Sequence, residues 1–242
     1  MLLTSRAFSR ILASLLFAVS TPLGVAFAGM IDFESLPGGT AVDGLPVGMQ
    51  YYGSAGMGLG VDLDGDGHAD ALPTLEHTGV ETDWAFVNDV DHKDDEALPG
   101  YEAQLGTWTL RSGIAHASQS LLITYAGGVR DASGEIWDID GNPEQGTEQW
   151  RIDALAVDGT VLASVLSPLG DTIDPDSLNA KPWSFDFHRA TDDVFSLRID
   201  FVGTKTFGLG VAFDHLYCAV PEPGTLVLIG LGVAMLGRAR RR

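Results

Sequence analysis

Residues 195–201, Phe-Ser-Leu-Arg-Ile-Asp-Phe, alternate apolar and polar side chains without a break. A period of two puts Phe195, Leu197, Ile199 and Phe201 on one face of an extended chain and the polar residues on the other. A helix would scatter those four side chains around its axis, so the segment reads as a strand with one face in a core. Similar runs recur. Ser120-Leu121-Leu122-Ile123-Thr124-Tyr125 ends near Gly127-Gly128. Trp150-Arg151-Ile152-Asp153-Ala154-Leu155-Ala156-Val157 and Thr160-Val161-Leu162-Ala163-Ser164-Val165 flank Asp158-Gly159, the mark of a hairpin with a two-residue turn. Residues 207–213 and 215–219 supply the last strand or two. No convincing amphipathic helix interrupts these runs. The expectation is an all-β, antiparallel β-sandwich of jelly-roll type, forming one domain over residues 30–219.

The two ends are of a different kind. Arg6 and Arg10 precede an apolar run over residues 11–20, and Ala26-Phe27-Ala28 offers the small-x-small pattern that signal peptidase reads. Residues 1–28 therefore read as a signal peptide, with the mature chain beginning near Gly29. At the other end, Val220-Pro221-Glu222-Pro223-Gly224-Thr225 leads into an uncharged stretch and then Arg238, Arg240, Arg241 and Arg242. A helix over residues 225–237 would be roughly 20 Å long, short for a bilayer but able to span one that thins around it. The arginines would stay in the cytoplasm and the body would face the periplasm, as an inner-membrane-anchored intermediate.

With the ends set aside, the body holds 8 basic and 32 acidic side chains, a formal charge of −24. Such a field excludes nucleic acid and anionic lipid as partners and suits divalent cations. Cys218 is the sole cysteine, so no intramolecular disulfide and no cysteine-based metal site can form.

Asp62-Leu63-Asp64-Gly65-Asp66-Gly67-His68-Ala69-Asp70 is the sharpest chemical signal. Alternate carboxylates in a tightly turning loop can converge on a hard cation that needs six to eight oxygens. Asp62, Asp64, Asp66 and Asp70 would ligate calcium through their side chains and His68 through its carbonyl. The loop departs from an EF-hand, since Pro73 stands where that motif has its bidentate Glu; a metal-free acidic turn is the alternative. Asp138, Asp140, Asn142 and Glu144 alternate oxygen ligands around a second turn and form a second candidate site. The acids over residues 89–96 read as a solvated loop. Pyranose faces stack on exposed rings, and of Trp84, Trp108, Trp137, Trp150 and Trp183, Trp137 and Trp183 lie beside turn chemistry, where they could be exposed. By residue type each is more often a core side chain than a ligand contact. No nucleophile elbow, zinc-binding helix or phosphate loop occurs.

The order Pro221-Glu222-Pro223, short apolar stretch, arginine cluster resembles the PEP-CTERM sorting signal. That resemblance, over residues 220–242, implies processing near Pro221, Glu222 and Pro223 by an exosortase-type membrane peptidase. It also implies passage to the cell surface or extracellular matrix, in bacteria that make exopolysaccharide and biofilm. Residues 31–40 and 208–216 resemble the first and last strands of many PEP-CTERM bodies, whose jelly rolls look like carbohydrate-binding modules. In such bodies the two terminal strands pair. Two expectations follow. One is a non-catalytic, calcium-stabilised surface or matrix protein that binds exopolysaccharide or surface partners. The other is a secreted hydrolase or lyase acting on polysaccharide from the same scaffold.

Overall fold

The computed structural model describes residues 28–53, 56–79, 97–111, 113–114, 118–170, 178–206 and 209–219. Ala26, Trp84, the acids over 89–96, Pro221, Glu222, Pro223 and the apolar run 225–237 lie outside the described residues. Among the described residues no helix is long and apolar enough to cross a membrane.

Most of the alternating segments become strands; Ala156-Val157 runs into a turn, and the last strand begins at Ala212 rather than in the run from residue 207. In chain order the strands are β1 (Ala28–Ile31), β2 (Met57–Asp62), β3 (Thr74–His77), β4 (Trp108–Arg111), β5 (Ser120–Val129), β6 (Asp131–Ile139) and β7 (Gly141–Asn142). They continue as β8 (Gly146–Thr147), β9 (Trp150–Leu155), β10 (Val161–Leu166), β11 (Leu178–His188), β12 (Val194–Phe201) and β13 (Ala212–Ala219). One sheet runs β11-β6-β13-β4-β3, with β1 also paired to β13; the other runs β10-β9-β12-β5-β2. The pairings are antiparallel. Leu121, Ile123, Ile152, Leu197 and Ile199 from the second sheet meet Ile136, Phe185 and Phe213 from the first in one buried cluster. The result is the antiparallel β-sandwich expected. The terminal strands pair as the resemblance implied, with Ala28 opposite Ala219 and Gly29 opposite Cys218. Cys218 is buried, as the residue type suggests for the end of a last strand.

Two local readings need correction. The β9–β10 turn takes three residues, Val157, Asp158 and Gly159, rather than two. Ala156 N–H donates to the Thr160 carbonyl (2.8 Å), Gly159 N–H donates back to Ala156 (3.0 Å), and Gly159 has φ +80°. A three-residue loop with glycine in the left-handed region goes with a bulge, and the register slips between Val161 and Ala163. The second correction concerns Phe195. A register shift between Val194 and Ser196 changes the phase of β12, so Val194 is buried with Leu197, Ile199 and Phe201 while Phe195 turns to the other face.

Candidate functional site

The loop after β2 folds around Asp62. That residue is 1% exposed, and its Oδ1 accepts from Gly65 N–H (2.7 Å) while its Oδ2 accepts from Gly67 N–H (2.8 Å). Asp70 accepts from Leu63 N–H (2.8 Å), and Val61 N–H donates to Ala71 (2.9 Å) to close the base. Gly65 and Gly67, at φ +82° and +86°, supply the left-handed backbone the turn requires. Asp62, Asp64 and Asp70 each bring a carboxylate oxygen within 4.8 Å of the others. Asp66 does not join them. It accepts from His68 N–H (2.8 Å), and Asp66, Gly67 and His68 form one wall of a groove.

The acids of the second turn go to separate partners. Asp138, at φ 68°, accepts from Ala180 N–H across the sheet (2.8 Å). Asp140 accepts from Lys205, whose ammonium also lies 3.0 Å from Glu148 Oε1. Glu144 sits in the exposed turn between β7, which Asn142 ends, and β8. Asp138, Asp140 and Glu144 form no ligand cluster among the described residues, and Asp140 is paired with the Lys205 ammonium. Trp137 is also not where turn chemistry suggested. It is 0% exposed, packed with Ala97, Leu105, Ala180 and Ala212, because the segment over residues 97–105 packs against this face of the sheet; it offers no face to a sugar. Trp183 is half-buried against the core, its ring 6.2 Å from Phe185.

Sequence reasoning missed the groove itself. It lies on the outer face of the five-stranded sheet and encloses about 580 Å³. Leu122 of β5, Leu155 of β9 and Phe195 of β12 give it apolar lining; Thr124, Ser196 and Arg198 give polar groups. The β9–β10 turn forms the wall opposite the acidic loop. An ionic ladder braces the floor. Arg198 Nη2 donates to Asp153 (2.9 Å) and lies, through Nε, 3.2 Å from Asp200; Arg151 pairs with the same two aspartates. Ser164 donates to Asp153 (2.6 Å) and Ser120 to Asp200 (2.6 Å), so the ladder ties four adjacent strands. No local sequence signal could reveal it, because its partners come from strands up to 80 residues apart.

Three carboxyls away from the groove are strongly perturbed. Burial pushes Glu148 up to about 8 against the pull of Lys205, and burial with Glu135, Asp32 and Glu34 nearby pushes Asp214 up to about 9. Burial and the neighbouring Asp140 also raise Asp138. Each binds its proton more tightly folded than unfolded, where carboxyls titrate near about 4. Stability from these groups is therefore complete below about pH 4 and is lost as pH rises towards about 9. The thermal midpoint of residues 29–219 should fall steadily between pH 5 and pH 9. A midpoint constant across that range would contradict these burials.

The fold is an antiparallel β-sandwich with a groove on the outer face of its five-stranded sheet. Comparison with known proteins adds the sorting signal: residues 219–242 match the family model for the PEP-CTERM protein-sorting motif. The chain thus carries an exosortase sorting signal, which marks it as an exported protein sorted to the cell surface. No curated protein sequence matches. Among solved structures, similarity is found to the K2 cleaved adhesin domain of Lys-gingipain. It is 12% identical, has a TM-score of 0.42, and the match covers 80% of this chain and 98% of that one. The C-terminal family 22 carbohydrate-binding module of Clostridium thermocellum Xyn10B is also 12% identical, with a TM-score of 0.36 and 84% and 99% covered. The xylan-binding CBM22-1 domain of Paenibacillus barcinonensis Xyn10C is 11% identical, with a TM-score of 0.33 and 81% and 96% covered.

Proposed function

We propose that this exported protein is a non-catalytic surface or matrix component whose groove binds exopolysaccharide. The observation that carries this reading is the groove's construction. Apolar side chains and the Phe195 ring lie beside hydroxyls on a floor held rigid by the ionic ladder. Sugar rings present apolar faces and polar edges, and a preorganised surface loses little freedom on binding them. A binding role is also supported by one acid of the groove, Asp158. Asp158 is held below the usual carboxylate range by Thr160, the opposite of what a general acid needs. The test is co-sedimentation of residues 29–219 with exopolysaccharide from the producing cells. Ser196→Trp should fill the groove and reduce retention at least about tenfold. Equal retention by this variant would sink the reading, and steady release of reducing ends would favour the enzyme.

Calcium completes the proposal at Asp62, Asp64 and Asp70. Their oxygens are close enough to share one ion, and the loop's backbone donors already fix Asp62. Three clustered carboxylates oppose folding until a cation offsets their repulsion. Calcium at a hundredfold excess over its Kd should add about 2.7 kcal/mol of stability. Thermal unfolding in EDTA and then in millimolar calcium reads this directly; Asp64→Asn should shrink the response. An unmoved midpoint would make the loop an acidic turn. Before processing, the apolar run 225–237 would hold the chain in the inner membrane.

A further inference from the structure

The charges around the groove favour one class of sugar chain. The arginine that lines it, Arg198, is engaged together with its neighbour Arg151: each contacts Asp153 and Asp200, whose side chains are only 5% and 13% exposed. Turning either guanidinium towards an anionic ligand would leave Asp153 and Asp200, both nearly buried, with one arginine between them instead of two, which is costly. The walls, in contrast, carry free acid. Asp66 stands in the loop after β2 and Asp158 in the opposite turn; both are exposed and line the groove. Each accepts from a backbone N–H two residues on, Asp66 from His68 (2.8 Å) and Asp158 from Thr160 (3.0 Å), which orients it. Asp66 is left out of the Asp62–Asp64–Asp70 convergence. His68 is the remaining titratable residue of the lining.

We infer that the groove takes a glycan bearing unacylated, protonated amino groups. Its ammonium groups pair with Asp66 and Asp158 while its rings lie on Leu122, Leu155 and Phe195. The inference rests on the groove being the glycan site. The body's formal charge of −24 draws such a chain in and repels a uronate or sulfated one. A sugar fits better than a basic peptide, because Thr124 and Ser196 set hydroxyl partners beside the apolar lining.

The experiment measures binding of the detergent-solubilised full chain to four probes of equal length: glucosamine, N-acetylglucosamine and galacturonate oligomers, and a lysine oligomer. At low salt glucosamine should bind roughly tenfold tighter than its acetylated counterpart, the scale of two exposed ion pairs. The preference should vanish at 1 M salt, where the screening length is about 3 Å. The Asp66→Asn/Asp158→Asn double variant should bind the two sugars alike, its retained binding of the acetylated oligomer showing that it is folded. Tighter binding of galacturonate, or a preference that survives in the double variant, overturns the inference. A lysine oligomer as tight as glucosamine assigns the groove to basic peptides instead. A chain that binds no sugar removes the glycan site and this inference with it.

Discussion

Replacing Lys205 with methionine should cost the body about 3–5 kcal/mol, since it breaks a buried ion pair by removing one partner. Lys205 is 8% exposed, and its ammonium holds Asp140 and the fully buried Glu148. Methionine keeps most of the apolar stem and deletes only the charge. Glu148, already raised by burial, can then survive only by taking a proton. The cost should accordingly be larger at pH 8 than at pH 5, where Glu148 is protonated more readily. The double variant Lys205→Met/Glu148→Gln should recover part of the loss. Urea unfolding at both pH values checks this; a change under 1 kcal/mol at pH 8 would mean that the pair is not desolvated in solution.

Trp150→Ala should be comparably severe, about 3–5 kcal/mol, because it empties a large volume where the sheets meet. The ring is 0% exposed, packs edge-on to Phe201 at 5.5 Å and Phe213 at 6.3 Å, and donates from Nε1 to Glu148 Oε2 at 3.3 Å. Trp150→Phe keeps much of the volume and removes the hydrogen bond, so it should cost about 1–3 kcal/mol. Because Trp150 and Lys205 share Glu148, their combined effect should depart from additivity, while Trp150 with the distant Asp64 should add. Denaturant midpoints of the single and double variants measure both statements. Strict additivity of Trp150 and Lys205 would show that Glu148 does not couple them.

The strands were legible because alternation is a local property, and residues 197–201 carry it cleanly into β12. What alternation cannot carry is a change of phase. The irregularity beside Phe195 reverses that side chain, and it is visible only once β5 is laid against β12. The loop at residues 62–70 was legible for a similar reason: its glycines and aspartates fold on themselves. Asp66 could not be told from its neighbours, since which carboxylate turns outward depends on the turn's handedness at Gly65 and Gly67. Trp137 misled because Asp138 resembles turn chemistry. In the fold Asp138 stays in β6 with a left-handed backbone and caps Ala180, 42 residues away. Lys205 stands in the same relation to the second acidic turn, 65 residues from Asp140. The groove depends on two such distant pairings at once, β12 with β5 and β12 with β9, so no window of sequence contains it.

Amide hydrogen exchange with and without bound oligosaccharide tests the central claim most directly. Binding in the groove predicts added protection in the turn at Val157, Asp158 and Gly159, in the segment at Asp66, Gly67 and His68, and at the Phe195 end of β12, with β3 and β11 unchanged. Protection confined to the six-stranded sheet, or none at saturating ligand, would contradict it.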